Sequence, residues 1–337
     1  MKPMITRILA LLVLLTLLGP AVADERFPAS ASLSPEAQAY LNRVKTGALE
    51  NRVDVNDPKM MATLRKALGG MFLRSAKKID PDVYTTEQDL GGIKGYWINS
   101  PVPDKPGKVI LYFHGGGYIL GSAQENLGSG IRISWASNIP VLSIEFRLAP
   151  EHPFPAGLED SLQAYRWLLD NGYKGKDIAI YGDSSGGGQV LAIALAVRDR
   201  GWEPPSSVVA ISPLTDITGQ GDTRITLKDV DPVLRTASSD RYRHYAGDAS
   251  LTNPLVSPLY GDYTNFPPLL IQVGTREVLL SDAVRLAQVA RKADVEVELD
   301  VWDGMWHGWH DSPGVREAEQ ACEAVADFVV AHFDSAM

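Results

Sequence analysis

The sequence predicts an α/β fold with a mostly parallel central sheet. Short runs rich in β-branched and aromatic residues alternate with longer amphipathic stretches, which is typical of strands connected by helices. The chain has 337 residues, of which 45% are hydrophobic and 22% charged, so it is long enough for one large domain with a sizeable core. The predicted strands are Val109–Phe113, Pro140–Ile144, Ile178–Tyr181, Ser207–Ile211, Leu269–Val273 and Glu296–Val301.

The other predicted elements complete this pattern. Val83–Gln88 and Gly95–Asn99 flank the turn residues Gly91-Gly92, which predicts an antiparallel hairpin. The segment from Asp24 to about Arg74 is expected to be helical. The segment 215–248 has no obvious strand and is long for a connection, so a helical insertion is expected there. The further predicted helices are Ala156–Asp170, Gly187–Arg200, Asp282–Lys292 and Val315–Phe333.

Charge and cysteine content exclude several classes of protein. Asp and Glu number 41 against 32 Lys and Arg, which makes the formal net charge −9. Nucleic-acid binding needs a positive surface, so a nucleic-acid partner is not expected. Cys322 is the single cysteine, which excludes an internal disulfide and a cysteine-based zinc site. There is no HExxH motif or His/carboxylate cluster with metal-ligand spacing, so no metal is expected.

The first 23 residues have the layout of a secretory signal peptide. Lys2 and Arg7 precede the apolar run 8–18, and Ala21-Val22-Ala23 supplies the small-residue pattern of a cleavage site. A membrane span needs about 20 apolar residues, which is longer than this run. We therefore expect cleavage before Asp24, export to the periplasm or the medium, and no stable membrane span afterwards.

The first chemical signal is a glycine-flanked serine. Gly182-Asp183-Ser184-Ser185-Gly186 lies between a predicted strand and a predicted helix, as GxSxG requires. Such a turn is too tight for side chains at the two glycine positions, and it projects the serine hydroxyl at a helix N-terminus. Ser184 has glycines on both required sides, so we expect it to be the nucleophile and the backbone N–H of Ser185 to face the oxyanion.

A second glycine cluster follows the strand Val109–Phe113. In His114-Gly115-Gly116-Gly117 the backbone can approach a reacting group closely, and its N–H groups would stabilise a tetrahedral oxyanion without reorganising. We expect the oxyanion hole to comprise Gly116, Gly117 and Ser185. A phosphate loop would need GxGxxG or GxxxxGK[ST], neither of which is present. His114 is expected to brace the loop by hydrogen bonding.

Three motifs together resemble the hormone-sensitive-lipase family of α/β-hydrolases, in its bacterial carboxylesterase branch. They are HGGGY at 114–118, EFRLAPEHPFPA at 145–156 and GDSSGG at 182–187, in the family's order. The resemblance implies the α/β-hydrolase fold and carboxylic-ester hydrolysis without a cofactor. It also implies a helical cap made of residues from about 24 to 75 and the insertion 215–248, so that 24–337 form one domain. Ser185 replaces the family's usual alanine, but only the backbone N–H acts at that position.

The catalytic base is expected from chain order, which in this fold runs serine, acid, histidine. His307 follows the last predicted strand, in a loop that resembles the family's histidine loop. It would accept the Ser184 proton and later donate it to the leaving alcohol. His310 lies in the same loop and is the alternative.

The catalytic acid has two candidates after the strand Leu269–Val273. Glu277 stands three residues after Gly274, where the family commonly has aspartate and some relatives have glutamate. Asp282 is the alternative, although its place at the start of the next helix favours a carboxylate for other reasons. We favour Glu277.

The expected activity is that of a serine carboxylesterase acting on short- to medium-chain esters. Lactone or sugar-acetate hydrolysis and acyl transfer would use the same triad, and a catalytically silent small-molecule binding protein on this fold is the alternative of another class. The expected partner is a small ester, and the sequence does not determine the oligomeric state. Expected pocket residues are Tyr118, Ile119, Leu214 and Trp309.

Overall fold

The computed structural model describes residues 30–43, 54, 56–103, 106–234 and 239–335. Within these ranges, eight strands form one sheet in the order β1-β2-β4-β3-β5-β6-β7-β8. β1 and β2 form an antiparallel hairpin, β2 pairs antiparallel with β4, and the remaining pairs are parallel. The strands are β1 Thr85–Asp89, β2 Lys94–Ile98, β3 Val109–Phe113, β4 Val141–Ile144, β5 Ile178–Asp183, β6 Ser207–Ile211, β7 Leu269–Gly274 and β8 Val297–Trp302. The mostly parallel α/β architecture is therefore confirmed.

Helices cover both faces of the sheet. They are α1 Pro35–Arg43, α2 Pro58–Ile79, α3 Gly128–Ser137, α4 Ala156–Asp170, α5 Ser185–Asp199, α6 Thr223–Thr226, α7 Ser239–Ala246, α8 Leu280–Lys292 and α9 Arg316–Ser335. None of the helices described is long and apolar enough to cross a membrane. The proposed signal peptide lies outside the described residues.

Two hydrophobic clusters sandwich the sheet, and the period of two along each strand divides its side chains between them. In β3, Val109, Leu111 and Phe113 pack with α4, α5 and α8, whereas Ile110 and Tyr112 pack with α3 and α9. All five residues are buried, as expected for a strand covered on both faces.

α3 is a helix that the sequence pattern did not predict. It begins Gly128-Ser129-Gly130, and glycine lowers helix propensity by about 1 kcal/mol relative to alanine. Close packing explains Gly130, because a Cβ there would overlap the side chain of Ile98 in β2. Tertiary contact thus outweighs local propensity in this element.

The two segments expected to form a cap meet in a third apolar cluster. Met61 of α2 packs there with Ile217 and Tyr245 of the insertion. The described part of the insertion contains the helices α6 and α7, with turns following α6. The described N-terminal residues contain two helices, α1 and α2, and α2 begins at an N-cap formed by Asp57.

α2 is attached to the loops at the carboxyl ends of the strands by one arginine. Arg65 donates hydrogen bonds to the carbonyls of Ile119 and Ala149, each at 2.8 Å, and pairs with both oxygens of Glu151. These contacts hold the N-terminal helix beside the loop that follows β3.

Candidate active site

The parallel register brings the two glycine motifs side by side. β3 and β5 are neighbouring parallel strands, and Phe113 pairs with Gly182, so both strands end at the same edge of the sheet. Ligands of parallel α/β sheets bind at this carboxyl edge. A Cβ on Gly115 would come within 3.1 Å of the Ser184 Cβ, which shows how closely the two loops approach.

Ser184 occupies a strained turn between β5 and α5. Its φ of 54° and ψ of −118° lie outside the regions that L-residues ordinarily adopt. The backbone holds this conformation through the Ser184 N–H, which donates to the carbonyl of Ile211 at 2.8 Å. Such strain is maintained only where the surroundings over-determine it, and it is concentrated at functional sites.

The flanking glycines are required by sterics. A Cβ on Gly186 would overlap the carbonyl oxygen of Phe113, and a Cβ on Gly182 would overlap the carbonyl of Gly186. The turn therefore accommodates only glycine at these two positions. This steric requirement explains the GxSxG pattern.

The loop after β3 turns sharply next to Ser184. Gly116 and Gly117 have φ values of 128° and 65°, both in the region that favours glycine. A Cβ on Gly116 would overlap the carbonyl of Leu120, whereas a Cβ on Gly117 would meet open space. Ser185, the third expected oxyanion contributor, is buried at the start of α5, where N–H groups have no partner within the helix.

His114 is a buried, neutral member of this loop. Its Nδ1 hydrogen-bonds the carbonyl of Gly115 at 2.8 Å, and its ring stacks on Phe146. Burial lowers the pKa of His114 to about 4. The side chain thus braces the glycine loop rather than facing Ser184.

Three side chains from three loops form a continuous hydrogen-bonded chain. Nε2 of His307 lies 2.9 Å from Oγ of Ser184, and Nδ1 of His307 lies 2.9 Å from Oε2 of Glu277. Ser184 follows β5, Glu277 follows β7, and His307 follows β8, so all three project from the carboxyl edge of the sheet. This is the arrangement of nucleophile, base and orienting acid.

Glu277 is fully buried, and each of its oxygens has a partner. Oε1 accepts hydrogen bonds from Oγ of Ser212 at 2.7 Å and from the N–H of Gly274 at 2.6 Å. Oε2 is thereby left to face His307. Ser212 has a positive φ of 45° at the end of β6, and this conformation accompanies its contact with the acid.

Opposing effects set the protonation of His307. Burial lowers its pKa, but the hydrogen bond and charge of Glu277, together with the charges of Asp231 and Asp183, outweigh burial and raise the pKa above its ordinary value. The environment therefore favours the imidazolium form, which a general base must adopt when it takes a proton from serine.

The two alternative residues lie elsewhere. Asp282 accepts hydrogen bonds from the N–H groups of Thr215 and Asp216 and pairs with Arg224 at 2.9 Å. His310 is buried, its Nε2 lies 4.0 Å from the carboxylate of Asp311, and neither ring nitrogen has a hydrogen-bond partner among the described residues. The structure thus brings Glu277 and His307, rather than Asp282 or His310, to the serine.

Three of the four expected pocket residues lie together. Tyr118, Ile119 and Leu214 belong to the apolar cluster shared with the insertion. The N–H of Leu214 donates to the carbonyl of Ser184 at 2.9 Å, and the ring of Tyr118 stacks on Tyr245 with centroids 3.6 Å apart.

Trp309 requires a correction. It is fully buried in the cluster that packs α3 and α9 on the sheet, next to Trp302. Its proximity to His307 in sequence suggested a pocket position. The short helical turn at Trp309–Asp311 instead directs the tryptophan into the core.

Sequence reasoning missed Ser212, Asp183 and Asp231 as neighbours of the site. Asp183 accepts hydrogen bonds from Oη of Tyr112 at 2.9 Å and from the N–H of Gly115 at 3.2 Å, and so links the nucleophile turn to the glycine loop. A signal for Ser212 was present, because it directly follows a parallel strand. Within the described ranges, no group of three or more His, Cys, Asp or Glu side chains has the placement of a metal site.

Comparisons with known proteins agree with this architecture. A family model described as alpha/beta hydrolase fold matches residues 110–311. An acetyl-hydrolase of Streptomyces hygroscopicus is 38% identical over 242 residues, covering 71% of this chain and 80% of the relative. A crystal structure of EstE5 soaked with p-nitrophenyl butyrate is 35% identical, with a TM-score of 0.81, and covers 89% of this chain and 99% of that one.

A second solved structure identifies the branch of the family to which this chain is similar. It is an esterase from the bacterial hormone-sensitive lipase family, 37% identical with a TM-score of 0.76, and the match covers 81% of this chain and 92% of that one. The range matched by the family model, 110–311, includes the loops that carry Ser184, Glu277 and His307. The chain therefore belongs to the alpha/beta hydrolase fold family, within its bacterial hormone-sensitive-lipase branch.

Proposed function

We propose that this protein is a serine carboxylesterase in which Ser184, His307 and Glu277 form the catalytic triad. The observation that carries the proposal is the Ser184–His307–Glu277 chain, in which both links to the imidazole are 2.9 Å long. The esterase and acetyl-hydrolase relatives support the same reaction class.

The first half-reaction acylates Ser184. Nε2 of His307 takes the hydroxyl proton as Oγ attacks the ester carbon, and the tetrahedral oxyanion is bound by N–H groups of Gly116, Gly117 and Ser185. The resulting imidazolium is stabilised by Glu277 and then donates its proton to the departing alkoxide. An alcohol leaves, and an acyl-enzyme remains.

The second half-reaction repeats this chemistry with water. His307 takes a proton from the water that attacks the acyl carbon, and it returns that proton to Oγ of Ser184 as the acid departs. No redox step or cofactor is needed, because each proton taken by His307 is returned within the cycle.

The apolar cluster next to Ser184 supports a short acyl chain. Tyr118, Leu214 and Tyr245 are each at most 4% exposed, and the stacked tyrosine rings leave little space between them. A long acyl chain would have to separate aromatic rings that already pack in contact. We therefore propose acetyl to butyryl esters as the preferred substrates.

The test is hydrolysis of p-nitrophenyl esters from acetate to palmitate. We expect activity to peak at short chains and to fall by about 10⁶-fold in Ser184→Ala, as when a triad nucleophile is removed. Ser185→Ala is the matched control, because only the backbone N–H of that residue is used, and its kcat should stay within about threefold of the wild type. Unchanged hydrolysis in Ser184→Ala would refute the proposal.

We also propose that the protein is exported after removal of residues 1–23. The basic start, apolar run and Ala-Val-Ala pattern support this. N-terminal sequencing of the protein recovered from the periplasm and medium tests it, and an intact Met1 in those fractions would contradict cleavage.

A further inference from the structure

The insertion between β6 and β7 sends one carboxylate into the interior beside the triad. Asp231 lies between α6 and α7 and is fully buried. Its Oδ1 accepts hydrogen bonds from the N–H groups of Val233 and Leu234 at 2.9 and 3.0 Å, which closes a turn. Its Oδ2 accepts from the N–H of Val278 at 3.0 Å, and Val278 directly follows the triad acid.

The insertion holds Val278 from both sides. Asp231 accepts a hydrogen bond from the N–H of Val278, and Oγ1 of Thr223 donates one to the carbonyl of Val278 at 2.8 Å. The N–H of Glu277 donates to the carbonyl of Gly274, so the turn carrying the acid is tied both to β7 and to the insertion. A segment expected to form part of a helical cap therefore also contacts the turn that carries Glu277.

Asp231 also interacts electrostatically with the triad. Burial raises the pKa of Asp231, and so does the charge of Glu277, whereas the charge of His307 and the N–H groups of its own turn oppose the rise. Conversely, Asp231 helps to raise the pKa of His307. Three buried carboxylates thus act on this imidazole from three segments: Glu277 after β7, Asp183 at the end of β5, and Asp231 from the insertion.

We propose that Asp231 is a positioning residue for the triad, which pins the Glu277–Val278 turn to the insertion and adds a buried carboxylate near His307 to those of Glu277 and Asp183. This inference rests on the proposed function. Asp231 touches neither the substrate nor the reacting atoms. It acts through its hydrogen bond with Val278 and through the electrostatic effect of its carboxylate on His307. Its ionised form would stabilise the imidazolium that appears in both half-reactions.

The test compares the loss of charge and contact with the loss of a contact alone. Asp231→Asn removes the charge and keeps an acceptor oxygen for the turn at Val233 and Leu234, but its amide nitrogen cannot accept the hydrogen bond from the Val278 N–H. Thr223→Val is the matched control, because it removes the other bond to Val278 and changes no charge. The two variants and the wild type are compared by kcat/KM for p-nitrophenyl acetate across about pH 5 to 9, the range in which histidine titrates.

We expect Asp231→Asn to shift the acid limb of the kcat/KM profile to lower pH by about half a unit, because removing a negative charge lowers the pKa of His307. We expect kcat at the plateau to fall about tenfold as the turn loosens and the imidazolium loses support. Thr223→Val should lower kcat without moving the limb. An acid limb that stays in place or moves to higher pH in Asp231→Asn would overturn the inference.

Two further measurements keep the outcome interpretable. If Asp231→Asn is unfolded by circular dichroism, Asp231→Ser replaces it, since its hydroxyl can still close the turn without a charge. The same shift of the limb is then expected, and its absence overturns the inference. Ser184→Ala is assayed alongside, because hydrolysis retained in that variant would refute the proposed function. If Ser184→Ala is inactive but the acid limb of Asp231→Asn stays in place, only this inference is refuted.

Discussion

Replacing Glu277 with glutamine changes one oxygen to an amide nitrogen, and the structure determines which one. Oε1 accepts from Ser212 at 2.7 Å and from the Gly274 N–H at 2.6 Å. Because both groups donate, the amide oxygen of glutamine must occupy that position. The amide nitrogen then takes the place of Oε2 and presents a donor to Nδ1 of His307, which lies 2.9 Å away.

This reversal changes the tautomer of His307. Nδ1 becomes an acceptor, so the ring proton moves to Nε2, the nitrogen that faces Oγ of Ser184 at 2.9 Å. A protonated Nε2 cannot accept the serine proton. A wrong tautomer in such a triad lowers kcat by about 10⁴, so we expect a loss of 10³ to 10⁴ here, or about 4 to 5.5 kcal/mol of transition-state stabilisation.

The assay is the kcat for p-nitrophenyl butyrate at a pH on the plateau. Glu317→Gln is the matched control, because Glu317 also accepts from a main-chain N–H and a serine hydroxyl, both of Ser34 at 2.7 Å, in a different part of the molecule. Its kcat should remain within about twofold of the wild type, as for changes away from a site. If Glu277→Gln kept a kcat within tenfold of that control, Glu277 would not be the acid that orients His307.

Three further predictions concern the turn, the base and the pocket. Gly186→Ala should lower the free energy of unfolding by about 2 kcal/mol or more and abolish hydrolysis, since the new Cβ overlaps the Phe113 carbonyl; a chemical denaturation series with unchanged stability would contradict this. The acid limb of the wild-type kcat/KM profile should lie above about pH 6.5, because the pKa of His307 is raised and catalysis needs the neutral ring; a limb below that pH would be inconsistent with the site's charges. Tyr245→Ala should remove the stacking partner of Tyr118 and increase kcat/KM for p-nitrophenyl octanoate, relative to p-nitrophenyl acetate, by about tenfold. An unchanged chain-length profile would mean that the acyl group binds elsewhere.

Much of the site was predictable because its chemistry demands particular residues in particular local settings. Ser184 could be selected from sequence since a strand, two glycines and a helix surround it, and each glycine occupies a position where a Cβ would overlap backbone. The strands were predictable for a similar reason: β3 reads as a continuous hydrophobic run because both of its faces are covered. Local pattern and tertiary environment agree at these positions.

Other residues depend on contacts that local sequence does not encode. Trp309 lies two residues from His307, yet its ring enters the core on the far side of a short turn. Gly130 weakens a helix that exists because α3 packs closely on β2. Nothing in the sequence around Asp231 indicated that its carboxylate accepts a hydrogen bond from Val278, 47 residues further along the chain.

The amino-acid sequence by itself determined the fold class, and it predicted which serine lies in the glycine-flanked turn and in which order the groups of the proposed triad occur. Each of these follows from hydrophobic periodicity or from a steric requirement within a few residues. The tertiary structure decided between Glu277 and Asp282, because only the convergence of the loops after β5, β7 and β8 shows which carboxylate meets His307. It also decided which side chains surround that pair, since the free energy of burying a charge depends on groups brought together from distant parts of the chain.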